Sequence, residues 1–365
     1  MLSPNELYPL IQLSSCPRLG PVRIRKLIRA FGSAQAALEA DVEQILALTD
    51  LTRSSLEHWG VWKGNSQWQK ECELIEHHKV NLVPYTSAVY PKRLLEIPDA
   101  PLLLYVKGTW QQRDEYSLAV VGTRTASIYG REMAEQFGEG LAAAGITVVS
   151  GLARGVDTAA HEGALRSGRT AAVIGSGLAC IYPRENRKLA DSIAEKGALI
   201  SEYPLLTPPD KQNFPQRNRI VSGITLGTLL IEAPLKSGAM ITMEKALQHR
   251  RRLFALPGRV DTDSHQGNHR LIKSGQAVLV ENAQDILDCF GDLFSRERTV
   301  PVKNAPLLTD QEAELLQLLP AYEVSIEEVM LLSQRSSVQT NVLLMGLLLK
   351  KMIKEFPGKL YRKVY

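Results

Sequence analysis

The feature that most constrains this chain is an alternation from about Leu102 to Phe290, in which short runs rich in β-branched residues give way to amphipathic stretches, with most turns marked by glycine or proline. SLAVVG is followed by a helical pattern to Ala144, ITVVSG by one to Ser167, and TAAVIG by one to Lys196, before ALISEY. Leu226–Glu232 then precedes a helix ending near His249, and Leu253–Leu256, Leu271–Lys273 and Ala277–Val280 close the series. Strand and helix alternating at this spacing predict a parallel, doubly wound sheet, that is, an α/β Rossmann-like domain over residues 86–292.

The flanks read differently. A chain of 365 residues with 44% hydrophobic and 22% charged residues buries a full core and has room for two or three domains. Near the amino terminus, CPRLGPVRIRKLIRAFGSAQAALEAD places Gly20 and Pro21 at a turn, then an amphipathic helix broken by Gly32, then a second helix. This predicts a small helical domain over 1–85, of helix-hairpin-helix or SAM-like form. Its glycine turn and Arg18, Arg23, Arg25 and Lys26 suit a phosphate contact, and a packing module with solvated cations suits the pattern equally well.

After Phe290, the charged, proline-bearing SRERTVPVKNAP reads as a linker over 293–306. Thr309 with Glu312 forms a capping-box pattern ahead of LTDQEAELLQLL. SIEEVMLLSQ and SSVQTNVLLMGLLLKKMI read as two further helices, and Lys359–Tyr365 as a short strand. Residues 307–365 thus predict a winged-helix-like domain, a form used both for duplex DNA and for protein contacts.

A balance of 43 Lys+Arg against 39 Asp+Glu says little until the positions of the cations are known. Cys16, Cys72, Cys180 and Cys289 lie far apart with no CxxC pair, which indicates neither a disulfide framework nor a zinc ribbon and fits a reducing cytoplasm. The longest apolar run near the end, Val342 to Leu349, is far shorter than a membrane span, so no membrane association is expected.

In an open parallel sheet, ligands bind beyond the carboxyl ends of the strands, where helix amino termini gather N–H groups. Gly122-Thr123-Arg124, Gly151-Leu152-Ala153-Arg154-Gly155, Gly175-Ser176-Gly177 and Ser237-Gly238 all follow apolar strands. The arginines among them favour a phosphate-holding crevice over plain tight turns. The Gly175 stretch lacks the third glycine of a dinucleotide fingerprint and follows the third strand, which disfavours NAD or FAD. Gly163 to Thr170 runs from helix into strand, the wrong order for a phosphate loop. No cofactor is expected.

Asp157 and His161, four apart, predict a local structural pair on one helix face, with an acid–base pair as the sharper alternative. No serine or cysteine nearby completes a nucleophile arrangement. His265 and His269 are also four apart, without a carboxylate or cysteine to make a metal site. The most informative segment is Asp210-Lys-Gln-Asn-Phe-Pro-Gln-Arg-Asn-Arg-Ile220, expected to be a loop leading into a helix. Lys211, Arg217 and Arg219 suit phosphates and Phe214 suits a stacked base. The alternative is that some of these arginines pair with carboxylates such as Glu202 or Glu232.

Taken in order, AVVGTR, VVSGLARGVDTAAHEGAL, GRTAAVIGSGLACIYPREN, LISEYP, FPQRNRIVSG, EAPLKSGAMIT and FALPG resemble the signature of the DNA-processing protein A (DprA/Smf) family over about Tyr90 to Val280. The Tyr90-Pro91 pair and Leu104–Gly108 fit the same pattern. The family usually has Ser at Thr123, Lys at Arg184, and SGSL where SGAM stands here. The resemblance implies a core that binds single-stranded DNA without sequence preference, protects it, and loads RecA recombinase onto it during natural transformation or homologous recombination. It implies a pocket at Arg124, Arg184, Lys211, Phe214, Arg217, Asn218 and Arg219, floored by Gly122, Ser150, Gly151 and Gly238. A homodimer through the later part of the Rossmann-like domain is implied as well, with Leu271, Ile272 and Val278 as contributors.

The first of the three functions weighed is the reading preferred. The first is a non-enzymatic DNA-binding module. The second is a Rossmann-type hydrolase of nucleoside monophosphates with a carboxylate such as Glu232 on the ribose side, against which the PGGxGTxxE pattern is missing. The third is an adaptor acting chiefly through its carboxyl-terminal domain.

Overall fold

A computed structural model describes residues 4–16, 19–63, 67–291, 308–320, 322–350 and 352–363. The expected linker, Arg18 and the last two residues of the expected final strand lie outside them. The chain divides into two compact units, Met1–Thr299 and Val300–Tyr365.

The first unit opens with helices α1 (Pro4–Ser14), α2 (Pro21–Phe31), α3 (Ala34–Glu39), α4 (Val42–Leu48), α5 (Trp59–Lys63) and α6 (Gln67–His77). The turn from α2 to α3 follows from chemistry legible in the sequence. Pro21 stands at the first helical position, and Gly32 ends α2 in the left-handed region at φ 81°. Leu10, Leu13, Ile24, Leu27, Ile45 and Trp59 from these helices share one core with Leu103, Tyr105, Ile174 and Leu199 of the sheet.

The nine-stranded sheet is built from β1 (Asn81–Pro84), β2 (Leu103–Gly108), β3 (Ser117–Val121), β4 (Thr147–Ser150), β5 (Thr170–Ile174), β6 (Ala198–Ser201), β7 (Gly227–Leu230), β8 (Arg252–Ala255) and β9 (Val278–Leu279). They lie in the order β1-β2-β6-β5-β4-β3-β7-β8-β9. The seven strands from β6 to β9 pair in parallel, as the alternation predicts. β1 and β2 add an antiparallel edge that the alternation does not reveal, because they precede its first helix.

Connecting helices are α7 (Ile128–Ala143), α8 (Val156–Ser167), α9 (Arg187–Lys196), α10 (Asn213–Gly223), α11 (Gly238–Gln248), α12 (Gln266–Lys273) and α13 (Ala283–Phe290). Alternate strand residues face opposite sides, so both faces are apolar. Leu118, Val120 and Val148 pack with Phe137 and Leu141 of α7 and Ala160 of α8. Ala119, Val121 and Val149 pack with Ile220 and Val221 of α10 and Met240 and Met243 of α11. Strand order reverses at β3, with β4 on one side and β7 on the other. The carboxyl ends of these three strands therefore diverge around one opening.

The second unit contains α14 (Asp310–Leu318), α15 (Ile326–Ser333) and α16 (Ser337–Leu349) with the strands β10 (Val324–Ser325), β11 (Ile353–Phe356) and β12 (Leu360–Lys363) in the order β10-β12-β11. The Thr309–Glu312 capping box is present, and two more start α15 and α16. α16 stops at Leu349, short of the stretch read as helical, because Ile353–Phe356 pairs with β12 as a strand. Leu315, Val329, Leu344, Leu347 and Ile353 fill this unit's own core.

Candidate nucleic-acid interface

A crevice of about 570 Å³ opens at the switch point. Its walls come from the turn after β3 (Gly122, Thr123, Arg124), the turn after β4 (Gly151, Ala153, Asp157), the α10 face and the start of α11 (Ser237, Gly238, Ala239). Ser237 caps α11 through a hydrogen bond from the Met240 N–H, which leaves the first N–H groups of that helix at the crevice wall. Such an end attracts anions.

Helix α10 supplies the chemistry. Phe214, Arg217, Asn218 and Val221 are spaced as one helical face, and all four line the crevice. The Arg124 guanidinium lies over the Phe214 ring, 5.2 Å from its centroid, and the Tyr182 ring approaches from another side at 5.8 Å. Lys211 is exposed at the rim just before the helix. Asn218 Nδ2 donates to the Gly238 carbonyl at 3.3 Å and joins α10 to the start of α11.

Arg217 is the buried member, 4% exposed. Its Nη1 donates to the Gly151 carbonyl at 2.7 Å and to the Val173 carbonyl, so one guanidinium ties α10 to the ends of β4 and β5. Burial brings its pKa down to about 10, against the pull of Asp157, and it stays charged at neutral pH. Among the described residues its Nε has no hydrogen-bond partner. Gly151 makes room for it, since a Cβ at that position would lie 2.5 Å from the guanidinium nitrogens and push the side chain aside.

Asp157 and His161 do not pair with each other as the four-residue spacing suggested. Asp157 accepts from the Gly151 N–H at 3.0 Å and the Ala153 N–H at 3.3 Å, and so shapes the turn after β4. Within that turn Leu152 has φ 59°, a strained conformation for a side chain of its kind. Asn186 Nδ2 holds the Leu152 carbonyl at 2.9 Å. Gly155, at φ 76°, ends the turn where a Cβ would meet the backbone of Thr123 and Arg124.

The His161 ring is fully buried, with Nδ1 2.6 Å from Thr170 Oγ1, and burial pushes its pKa down to about 3. An unfolded histidine titrates near 6.5, so as pH falls from there toward 3 the unfolded chain takes up a proton that the folded chain refuses. Stability is lost in that window, by up to about 1.4 kcal/mol per pH unit for this residue. Asp157 and Glu202, whose carboxyls burial holds up, act in the opposite sense. The expected result is therefore a difference: the stability gap between wild type and His161→Gln, measured by thermal unfolding from about pH 7 to pH 4.5, narrows as pH falls. A constant gap would contradict a neutral buried ring.

The remaining site expectations divide. Gly122 and Gly238 line the crevice, whereas Ser150 lies beneath it, its hydroxyl donating to the Val120 carbonyl at 2.6 Å. Arg184 is exposed in a short turn outside the crevice lining. Arg219 faces away. It is 6% exposed, its Nη2 donates to Glu202 at 2.6 and 2.7 Å, and its Nε lies 3.3 Å from Asp99. Arg154 pairs with Glu185 at the crevice edge. Tyr182 and Lys236 line the site without having been singled out. Their signal was position, since both sit inside the quoted blocks.

Glu232 is committed elsewhere, its Oε2 accepting from the Ser127 N–H at 3.0 Å and hydroxyl at 2.8 Å at the start of α7. His265 and His269 stack on each other, and among the described residues no group of three or more His, Cys, Asp or Glu gathers as a metal site. No described helix is long and apolar enough to cross a membrane.

Residues 81–291 match the family described as DNA recombination-mediator protein A. Protein Smf of Escherichia coli K12 is 45% identical over 216 residues, 59% of this chain and 58% of that protein, so the chain spans a little over half the length of this relative. The structure of DNA processing protein A from Streptococcus pneumoniae is similar with a TM-score of 0.67 at 34% identity, over 79% of this chain and 98% of that one. The Helicobacter pylori protein of the same name, described for its single-stranded DNA binding mode, gives a TM-score of 0.53 at 31% identity over 58% and 97% of the two chains.

Proposed function

This chain belongs to the DNA recombination-mediator protein A family, and on that premise we propose that it holds single-stranded DNA in the switch-point crevice, without sequence preference and without catalysis. The observation that carries this reading is the face of α10, where Phe214 lies beneath the Arg124 guanidinium between Lys211 and the buried Arg217. Aromatic faces stack any base and cations hold any phosphate, which is the chemistry of sequence-tolerant single-strand binding. The description of the Helicobacter pylori relative supports it.

The bound strand is protected and passed to a RecA recombinase in transformation or homologous recombination, within the cytoplasm. We read the chain as a helical domain, a Rossmann-like domain and a winged-helix-like domain, with a second copy joining at the β9 edge of the sheet, where Val278 is half exposed. Leu271, by contrast, is buried and serves the core. The carboxylate named for the hydrolase reading, Glu232, holds the α7 cap residue Ser127 and does not line the crevice.

Anisotropy of a labelled oligo(dT) titrated with protein at several salt concentrations tests the reading, with nucleotide hydrolysis followed in parallel. Tight binding that weakens steeply with salt, without turnover, is expected. Absence of binding by folded protein, or cleavage of a mononucleotide, would overturn it. Arg219→Ala separates binding from support. It leaves the partly buried Glu202 carboxylate without its cation, so a loss of about 2 kcal/mol in thermal unfolding is expected. Oligo(dT) affinity below the melting temperature should stay within about twofold of wild type.

A further inference from the structure

The cations around the crevice are not equally available. Arg124, Lys211 and Lys236 form no ion pair among the described residues, whereas Arg154 is held through its Nε by the Glu185 carboxylate. The pair stands where the turn after β4 meets the short turn Arg184–Asn186, and Arg154 lines the crevice beside Arg124, Tyr182, Phe214 and Arg217. A guanidinium there offers a phosphate the fork of donors that phosphates prefer, and Glu185 already occupies one of them.

The fold does not depend on this pair. Asn186 joins the two turns, its Nδ2 donating to the Leu152 carbonyl at 2.9 Å and to the Thr158 hydroxyl at 2.8 Å. That hydroxyl donates in turn to the Ala153 carbonyl at 2.7 Å, and Asp157 accepts from the Ala153 N–H. The residue before Arg154 and the residue after Glu185 are thus fixed by other groups. The backbone sets carboxylate against guanidinium, and only the two side chains are free to part. Ordering two long side chains offsets much of their attraction, so such a pair exchanges readily for another partner.

We infer that Glu185 is a built-in competitor of the strand, holding Arg154 when the crevice is empty and yielding it to a DNA phosphate when a strand enters. The inference rests on the single-strand reading of the crevice and deepens it. In the exchange an N–H to carboxylate bond is replaced by an N–H to phosphate bond, and the freed carboxylate turns to water. The strand is then held less tightly than the cations allow, and it leaves faster because Glu185 reclaims Arg154. An affinity limited in this way suits a protein that gives its strand up to another.

The test uses the full chain and anisotropy of labelled oligo(dT) at several salt concentrations, with dissociation rates from competition by unlabelled oligo(dT). Wild type is compared with Glu185→Gln, Arg154→Ala and the double variant. Glu195→Gln on α9, outside the crevice lining, makes the same change of charge and serves as control. Glu185→Gln is expected to tighten binding about threefold or more, chiefly by slower dissociation, with an unchanged melting temperature. The slope of log affinity against log salt should steepen by up to about 0.7, one more phosphate neutralised on a single strand. In the Arg154→Ala background the same substitution should change affinity less than about 1.5-fold, because the gain passes through Arg154. Binding by wild type that Glu185→Gln does not tighten overturns the inference and leaves the crevice reading standing. An equal gain in Glu195→Gln, or a gain undiminished without Arg154, overturns it as well, since charge in general is then the cause. Absence of binding by wild type and every variant overturns the crevice reading and this inference together.

Discussion

Replacing Arg217 by alanine is expected to cost about 3 kcal/mol of stability and to remove oligo(dT) binding even where the variant remains folded. The stability loss comes from the two carbonyls it serves. Gly151 and Val173 end neighbouring strands, and without the guanidinium both lose a buried charged donor, each at about 1–3 kcal/mol. Asp157 loses its compensating cation at the same time. The binding loss comes from the crevice wall, where the guanidinium sits beside the turn after β4 with Asp157 and supplies the positive charge there. Arg217→Lys separates the effects: the charge is kept, but the shorter side chain and compact ammonium do not reproduce the reach and planar fork of the guanidinium, so part of the stability returns while affinity stays low. Calorimetry and anisotropy on both variants check this, and wild-type affinity in Arg217→Ala would remove Arg217 from the site.

Arg124→Ala combined with Lys211→Ala is the second large effect, and here stability is expected to change by less than about 0.5 kcal/mol because both side chains are exposed. On the proposed reading each substitution removes one phosphate contact, and Arg124→Ala also removes the cation above Phe214. Together they are expected to weaken oligo(dT) binding on the order of 100-fold, about 3 kcal/mol. The slope of log affinity against log salt should fall by about 1.4, from two fewer neutralised phosphates on a single strand. A weakened affinity with an unchanged slope would mean that these cations act on the shape of the loop and not on phosphates.

The parallel sheet was legible because short β-branched runs alternate with helical stretches whose turns are mostly marked by glycine or proline, and the crevice because its glycine turns follow strands. The antiparallel pair β1 and β2 was not, since its partner β6 lies far away in sequence. The two arginines of α10 are the instructive case. Residues two apart on a helix point about 200° apart, so Arg217 and Arg219 cannot both face one crevice. The period of Phe214, Arg217, Asn218 and Val221 selects the inner one, while the carboxylates that claim Arg219 come from positions 99 and 202. Composition shows how many cations there are, but only tertiary neighbours show which are already neutralised.

Photo-cross-linking of a bromouracil-substituted oligo(dT) to the full chain, with the linked peptides identified by mass spectrometry, tests most directly whether the crevice holds the strand. Linkage to Phe214 or Tyr182, lost in Arg124→Ala with Lys211→Ala, is the predicted result. Linkage confined to residues 300–365 would contradict it and place the nucleic acid on the other unit.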